Sequence, residues 1–152
     1  MAALTALLSA AAPAAGAFDP RLTPLDGGPQ VALSDIRSGP AIVLFWRSDC
    51  APCLIELSHF AALDEAAGPG RILTVALEPA PAATAKLEEL GLDAGRAYAV
   101  AGDAEAVLAA ASEGGHRLPY AIALDAGGGI CARHLGLLGT ERAKDWMRRC
   151  ST

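Results

Sequence analysis

The stretch Ala41-Ile42-Val43-Leu44-Phe45-Trp46-Arg47-Ser48-Asp49-Cys50-Ala51-Pro52-Cys53 begins with a continuous apolar run and ends on two cysteines with two residues between them. An unbroken apolar run of this length, bounded by Gly39-Pro40 before it and a polar loop after it, reads as a strand buried on both faces. Beyond the cysteines, Leu54, Leu57, Phe60, Ala61 and Leu63 recur at helical spacing until Gly68-Pro69-Gly70 stops them. The spacing predicts a single helix over that span. The order is therefore buried strand, tight loop, helix, with a Cys-x-x-Cys at the joint.

That joint carries a specific chemistry. The first turn of a helix presents unpaired N–H groups and a partial positive charge, which favour a thiolate on Cys50 and make it nucleophilic near neutral pH. Cys53 follows one turn later on the same face, placed to attack a mixed disulfide formed on Cys50. Pro52 suits the first helical turn, where its missing N–H costs no intrahelical bond. Metal binding and an inert structural pair are the competing readings. A zinc site would need a second close Cys/His pair, and Cys131 and Cys150 stand far apart in the sequence. Covalent haem attachment would need a histidine directly after Cys53, where Leu54 stands.

Outward from the joint, Arg71–Leu77 reads as a second buried strand, and Ala82–Leu90 as a helix closed by Gly91. Tyr98–Ala101 reads as a weaker strand, and Asp103 as the cap of a helix through Ala111. Tyr120–Leu124 and Ile130–Leu135 read as strands joined by the turn Asp125-Ala126-Gly127-Gly128-Gly129, and Thr140 as the cap of a final helix through Arg149. On the N-terminal side, Val31-Ala32-Leu33 is a short strand followed by a turn at Ser34-Asp35-Ile36. Asp19–Gln30, with three prolines and two adjacent glycines, is an extended entry and turn. Strands alternating with helices, then a hairpin and a terminal helix, give an α/β domain with a mixed central sheet.

Composition narrows the function. The hydrophobic share of 53% is inflated by 35 alanines, so the core is that of one ordinary domain. A net charge of -5 without any basic run excludes a nucleic-acid partner, which needs clustered Lys and Arg. The body of the chain has no bulky apolar run of about 20 residues, which excludes a polytopic membrane protein. Met1–Phe18 is different: it has no charged side chain, carries Leu4, Leu7 and Leu8 among alanines, and offers Ala15-Gly16-Ala17 as an A-x-A cleavage site. Residues 1–17 are expected to be a signal peptide or N-terminal anchor, and 18–152 the domain, although the usual basic start is missing and an Ala-rich leader on a cytosolic protein is the alternative. Four cysteines, an even number, agree with an oxidising compartment.

Phe45-Trp46-Arg47-Ser48-Asp49-Cys50-Ala51-Pro52-Cys53, preceded by Leu33-Ser34-Asp35-Ile36 and Gly39-Pro40-Ala41-Ile42-Val43-Leu44, resembles the TlpA-like branch of the thioredoxin superfamily, of the ResA and DsbE type. The resemblance runs from about Leu25 to the C-terminal helix. It implies a thioredoxin fold, a mixed sheet flanked by helices, with the TlpA-like N-terminal extension and central insertion. It also implies a periplasmic thiol:disulfide oxidoreductase acting as a monomer, with no cofactor and no metal. Such a protein reduces disulfides of exported proteins, including those of cytochrome c maturation, and is recharged by a membrane dithiol reductant. By the same resemblance Pro119 is the proline whose cis bond sits beside the cysteine pair, and Leu118 before it offers backbone groups to a substrate.

Two positions depart from the pattern. Asp49 stands where the family commonly has an aromatic residue, and a carboxylate beside Cys50 opposes its thiolate and favours a reducing protein, with Arg47 available to offset it. Leu44 stands where thioredoxins proper hold a buried acid; Glu56 and Glu78 are the candidates by location to replace it. Trp46 is expected to wall the active-site region and Trp146 to pack on the terminal helix. His59, His116 and His134 lie at no metal-ligand spacing. Cys131 and Cys150 are candidates for a structural disulfide, because five strand residues advance about 16 Å and about 11 helical residues return about the same distance. A Cu(I)-binding chaperone, and an oxidase or isomerase of the same fold, are the alternative functions.

Overall fold

The apolar run Ala41–Trp46 becomes a strand buried along its whole length. It lies inside a seven-stranded sheet formed among the described residues of the computed structural model, which are 16–92 and 96–152. In chain order the elements are β1 (Arg21–Pro24), β2 (Val31–Ala32), α1 (Leu33–Ile36), β3 (Ala41–Trp46), α2 (Ala51–Ser58), α3 (Phe60–Ala67), β4 (Ile72–Ala76), α4 (Ala80–Leu90), β5 (Ala97–Val100), α5 (Ala104–Ser112), β6 (Tyr120–Leu124), β7 (Ile130–Leu135) and α6 (Thr140–Cys150). The strand order is β2-β1-β5-β4-β3-β6-β7. β3 runs parallel to β4, and β4 to β5, while β1 and β6 are antiparallel to their neighbours. The mixed sheet read from the sequence is the observed one.

Alternation along the strands sorts the core into two faces. Ile42 and Leu44 with Ile72, Ala121 and Ala123 face α3 and α6, and meet Leu63, Trp146 and Met147 there. Trp46, Ala76 and Ala99 continue that face under α2 and α4, against Leu57 and Leu87. Val43, Phe45, Leu73, Val75 and Ile122 point the other way, onto Leu33 of α1 and Leu108 and Ala111 of α5. Each bulky side chain withdrawn from water in this way contributes about 1.5–3 kcal/mol, and β3 supplies such residues to both faces at once.

Several boundaries differ from the sequence reading, each for a local reason. The extended entry Asp19–Gln30 contains β1, which pairs with both β2 and β5; its neighbouring prolines hide it, and only Leu22 and Leu25 of the segment are buried. The turn at Ser34–Ile36 is the single helical turn α1, tied down by Asp19, whose carboxylate accepts from Ser34 N at 2.7 Å and Ser34 Oγ at 2.8 Å. The single helix expected after the cysteines is two, α2 and α3. At His59 the ring Nδ1 takes the Ile55 carbonyl at 2.8 Å, and the His59 N–H donates to the Glu56 carbonyl at 3.0 Å instead. Ser58 Oγ also donates to the Ile55 carbonyl, at 2.6 Å, and side chains that compete for a helix carbonyl in this way bend the helix. Thr140 is the first residue of α6 and makes no capping bond; Gly139, at φ 73°, is the N-cap. Asp103 does cap α5, accepting from Ala106 N at 3.1 Å. Gly91 closes α4 in the left-handed region, φ 66° and ψ 30°. The expected signal segment lies, up to residue 15, outside the described residues, among which no helix is long and apolar enough to cross a membrane.

Candidate active site

Three segments converge at the C-terminal end of β3. The first is the loop that leaves β3. The Cys50 N–H donates to the Arg47 carbonyl at 3.2 Å, closing a turn that delivers Cys50 as the N-cap of α2. Cys50 Sγ then accepts from the Cys53 N–H at 3.3 Å, so the sulfur occupies the place that a capping oxygen fills in an ordinary helix. Cys50 and Cys53 are joined by a disulfide, with their Cα atoms 5.2 Å apart. Cys50 is half-buried, and Cys53 is only 1% exposed. Pro52 lies in the first turn of α2, exposed.

The second segment is the end of β4. Leu77 N–H donates to the Trp46 carbonyl at 2.9 Å, and the next residue, Glu78, reaches across to the loop. Its Oε1 accepts from Ser48 N at 2.8 Å and its Oε2 from Ser48 Oγ at 2.7 Å. The third segment precedes β6. Phe45 pairs with Tyr120, which brings Pro119 level with Trp46. The Leu118–Pro119 peptide bond is cis, and the Pro119 carbonyl accepts from Gly136 N at 2.8 Å. Leu118 packs into the same apolar cluster as Trp46, Cys53 and Cys50.

Charge around the pair is uneven. Arg47 Nε lies 3.4 Å from Asp49 Oδ1 without the alignment of a hydrogen bond, and Arg47 Nη1 lies 3.6 Å from Glu105 Oε1 at the start of α5. Asp49 and Glu105 thus both lie against the Arg47 guanidinium, while Glu78 is bonded to the adjacent Ser48. Asp49 is 76% exposed, so its influence is exercised through solvent. Trp46 is 1% exposed, and its indole N–H has no partner among the described residues.

Glu56, named above for its location, is buried in α2 one turn after Cys53, 7% exposed, and its Oε2 accepts from Leu138 N at 2.6 Å, just ahead of α6. Burial holds its carboxyl above the ordinary carboxylate range, and the Leu138 N–H opposes part of that rise. It forms the floor of a cavity of about 250 Å³ rimmed by the exposed Ile55 and Leu137. A larger cavity of about 390 Å³ is lined by Leu57, Phe60, Thr74 and Leu87. Leu44 lies in the core, 2% exposed, with no acid in its place. Trp146 is buried under the sheet.

The other cysteines are also joined. Cys131 in β7 is bonded to Cys150 at the end of α6, with Cα atoms 6.0 Å apart. Strand alternation alone would set Cys131 on the side of Arg133, whose Nε bonds the Ala111 carbonyl of α5. A β-bulge corrects this: Ala132 pairs with Ala123 and Ile130 with Leu124, leaving Cys131 as the extra residue, turned towards α6. His59 and His134 bond the Ile55 and Leu137 carbonyls, and His116 is exposed in a loop. Among the described residues no group of three or more His, Cys, Asp or Glu could hold a metal ion.

Sequence reasoning missed Ser48 and Glu105. The Ser48–Glu78 bond spans 30 positions and becomes visible only when β3 and β4 are paired. Glu56 had a local signal: it stands three residues after Cys53 and seven before Leu63, on the buried stripe of the helix.

No family model matches the sequence, and no curated protein matches it. Solved structures do. The thioredoxin domain of a thiol-disulfide oxidoreductase from Bacteroides vulgatus is 20% identical, with a TM-score of 0.69 over 88% of this chain and 94% of that one. A thioredoxin-family thiol:disulfide interchange protein from Chlorobium tepidum is 16% identical, with a TM-score of 0.68 over 93% and 99%. An exposed lipoprotein thioredoxin of Streptococcus pneumoniae is 23% identical, with a TM-score of 0.63 over 86% and 98%. The fold of this chain, carrying a Cys-x-x-Cys disulfide at the joint of β3 and α2, is the thioredoxin fold.

Proposed function

We propose that the protein is a thiol:disulfide oxidoreductase that works by the Cys50–Cys53 pair and reduces disulfides in exported proteins. One observation carries the reading: Cys50, a half-buried residue, caps α2 with its sulfur, while Cys53 is buried one turn behind it. In the dithiol form the Cys50 thiolate attacks one sulfur of a substrate disulfide, forming a mixed disulfide and releasing the other sulfur as a thiolate. Cys53 then loses its proton to water and attacks Cys50 Sγ, which closes the Cys50–Cys53 disulfide and releases the second substrate thiolate. Two electrons pass to the substrate, and a membrane dithiol reductant returns them. Pro52, Trp46, Asp49 and the cis Pro119 support the pair, with the Leu118 backbone as the docking edge for the substrate chain.

We infer further that the protein acts as a monomer in the periplasm. The uncharged N-terminal segment and the second disulfide, Cys131–Cys150, support an oxidising compartment. Proteins that bear paired cysteines for haem attachment are one substrate class that fits, since those thiols must be free before haem is joined. The test is trapping with Cys53→Ser in the native organism. A covalent complex with an exported protein, released by dithiothreitol, supports the reading. Recovery of copper with no trapped protein overturns it in favour of a Cu(I) chaperone.

A further inference from the structure

We propose that Glu78 is the positioning residue for Cys50, acting through Ser48; this deepens the reading above and rests on it. The turn Arg47–Cys50 is the only connection between β3 and the helix whose N-cap is the nucleophile, and it is held at two points. At its root, Trp46 is fixed in the ladder by Leu77 N–H at 2.9 Å. At its crest, Ser48 presents two donors from one residue, its N–H and its hydroxyl, and Glu78 accepts both, one on each carboxylate oxygen, at 2.8 and 2.7 Å. A carboxylate is the side chain that can do this, because both oxygens accept when it is ionised. The grip closes a ring from β4 through Ser48 to the turn, so the position of Cys50 is set by the sheet rather than by the loop.

The arrangement has a cost that marks it as more than a convenient surface contact. Glu78 brings a negative charge onto the loop that carries a sulfur that must become a thiolate, a loop where Asp49 and Glu105 already share Arg47. Removing the carboxylate therefore does two separable things. It eases ionisation of Cys50, and it releases the turn. A residue kept only for charge would act through the first effect, whereas a positioning residue acts through the second, which appears as a slower reaction of the thiolate itself.

The experiment follows the rate at which protein reduced by one equivalent of dithiothreitol attacks a peptide disulfide, measured across the thiol titration. The wild type is compared with Ser48→Ala, Glu78→Gln, the two combined, and Ser48→Thr. The limiting rate at high pH, where Cys50 is wholly thiolate, is expected to fall about tenfold in Glu78→Gln and about threefold in Ser48→Ala, which keeps the Ser48 N–H bond. It falls no further in the combination than in Glu78→Gln, because the hydroxyl bond that Ser48→Ala removes belongs to the grip that Glu78→Gln already releases. Ser48→Thr keeps both donors and the wild-type rate. Glu78→Gln also moves the titration midpoint down, and Ser48→Ala leaves it in place. Ser48→Ala removes only a hydroxyl and keeps the test decisive if Glu78→Gln unfolds. Limiting rates within about twofold of wild type in the single variants overturn the positioning role. A wild-type protein that attacks no faster than free cysteine overturns the oxidoreductase reading itself, whatever the variants do.

Discussion

The two disulfides share one bond type and occupy opposite environments. Cys50 stands at the N-terminus of α2, and Cys150 at the C-terminus of α6. The first end of a helix favours a thiolate and the last end opposes it. The partners are reversed as well. Behind Cys50 waits a buried thiol one turn away. Opposite Cys150, which is 3% exposed in an apolar cluster, lies the exposed Cys131 of an edge strand. An incoming thiol that attacks Cys131 must expel Cys150 as a buried anion at the wrong end of a helix. One pair is built to open and the other to stay shut, and the difference lies in the helix ends rather than in the cysteines.

The sharpest way to break this contrast is to exchange roles. Cys50→Ser should lower peptide-disulfide turnover by at least about a thousandfold, whereas Cys131→Ser with Cys150→Ser should leave it within about threefold; a loss of turnover in the double variant would merge the two pairs into one functional unit. The same double variant should cost about 3 kcal/mol in denaturant unfolding, since the bond closes a loop with a sequence separation of 19. Cys50→Ser with Cys53→Ser should cost less, because residues three apart on one helical turn are near neighbours in any case.

A third test concerns the buried acid on the active-site helix. Glu56→Leu leaves the Leu138 N–H without its acceptor and should cost about 1–3 kcal/mol. Glu56→Gln keeps an acceptor and removes the burden of a buried charge. Because burial raises the Glu56 carboxyl in the folded state, the native protein holds that proton more tightly than the unfolded chain does. Wild-type stability relative to Glu56→Gln should therefore be highest at acid pH and decline as pH rises from the ordinary carboxyl range through the raised value. A pH series of unfolding curves that stays parallel for the two proteins would contradict this. The smallest effect belongs to Asp49. Asp49→Asn should move the Cys50 titration slightly downward and change the exchange rate at neutral pH by about twofold or less, because the carboxylate is 76% exposed.

The sequence made the β3–Cys50–α2 joint legible because everything that defines it is contiguous: a doubly buried strand, a short turn, and a helix start with a proline. The central sheet followed from the same kind of local pattern. β1 was hidden, since Arg21-Leu22-Thr23-Pro24 offers one buried leucine beside a proline, and its pairing with β5 is decided by tertiary contact. The break at His59 coincides with two side chains, Ser58 and His59, taking the Ile55 carbonyl from the backbone, which no periodicity records. Of the site, the nucleophile and its partner were local. Glu78 was visible only as a residue near the end of a strand, because its bond to Ser48 exists only once two parallel strands are in register.

The bulge in β7 makes the staple between strand and helix depend on a count of residues rather than on their identity. Deleting Ile130 would leave both cysteines, the helix and the hairpin turn in the chain, yet a regular ladder would pair Cys131 with Leu124 and set it on the Arg133 face, away from α6. The fold would then carry two free thiols, one of them exposed, without any substitution at all. A deletion of length one between the hairpin turn and Cys131 is thus a parity switch for covalent closure, and the residue count from Gly129 to Cys131 carries as much information as the cysteine itself.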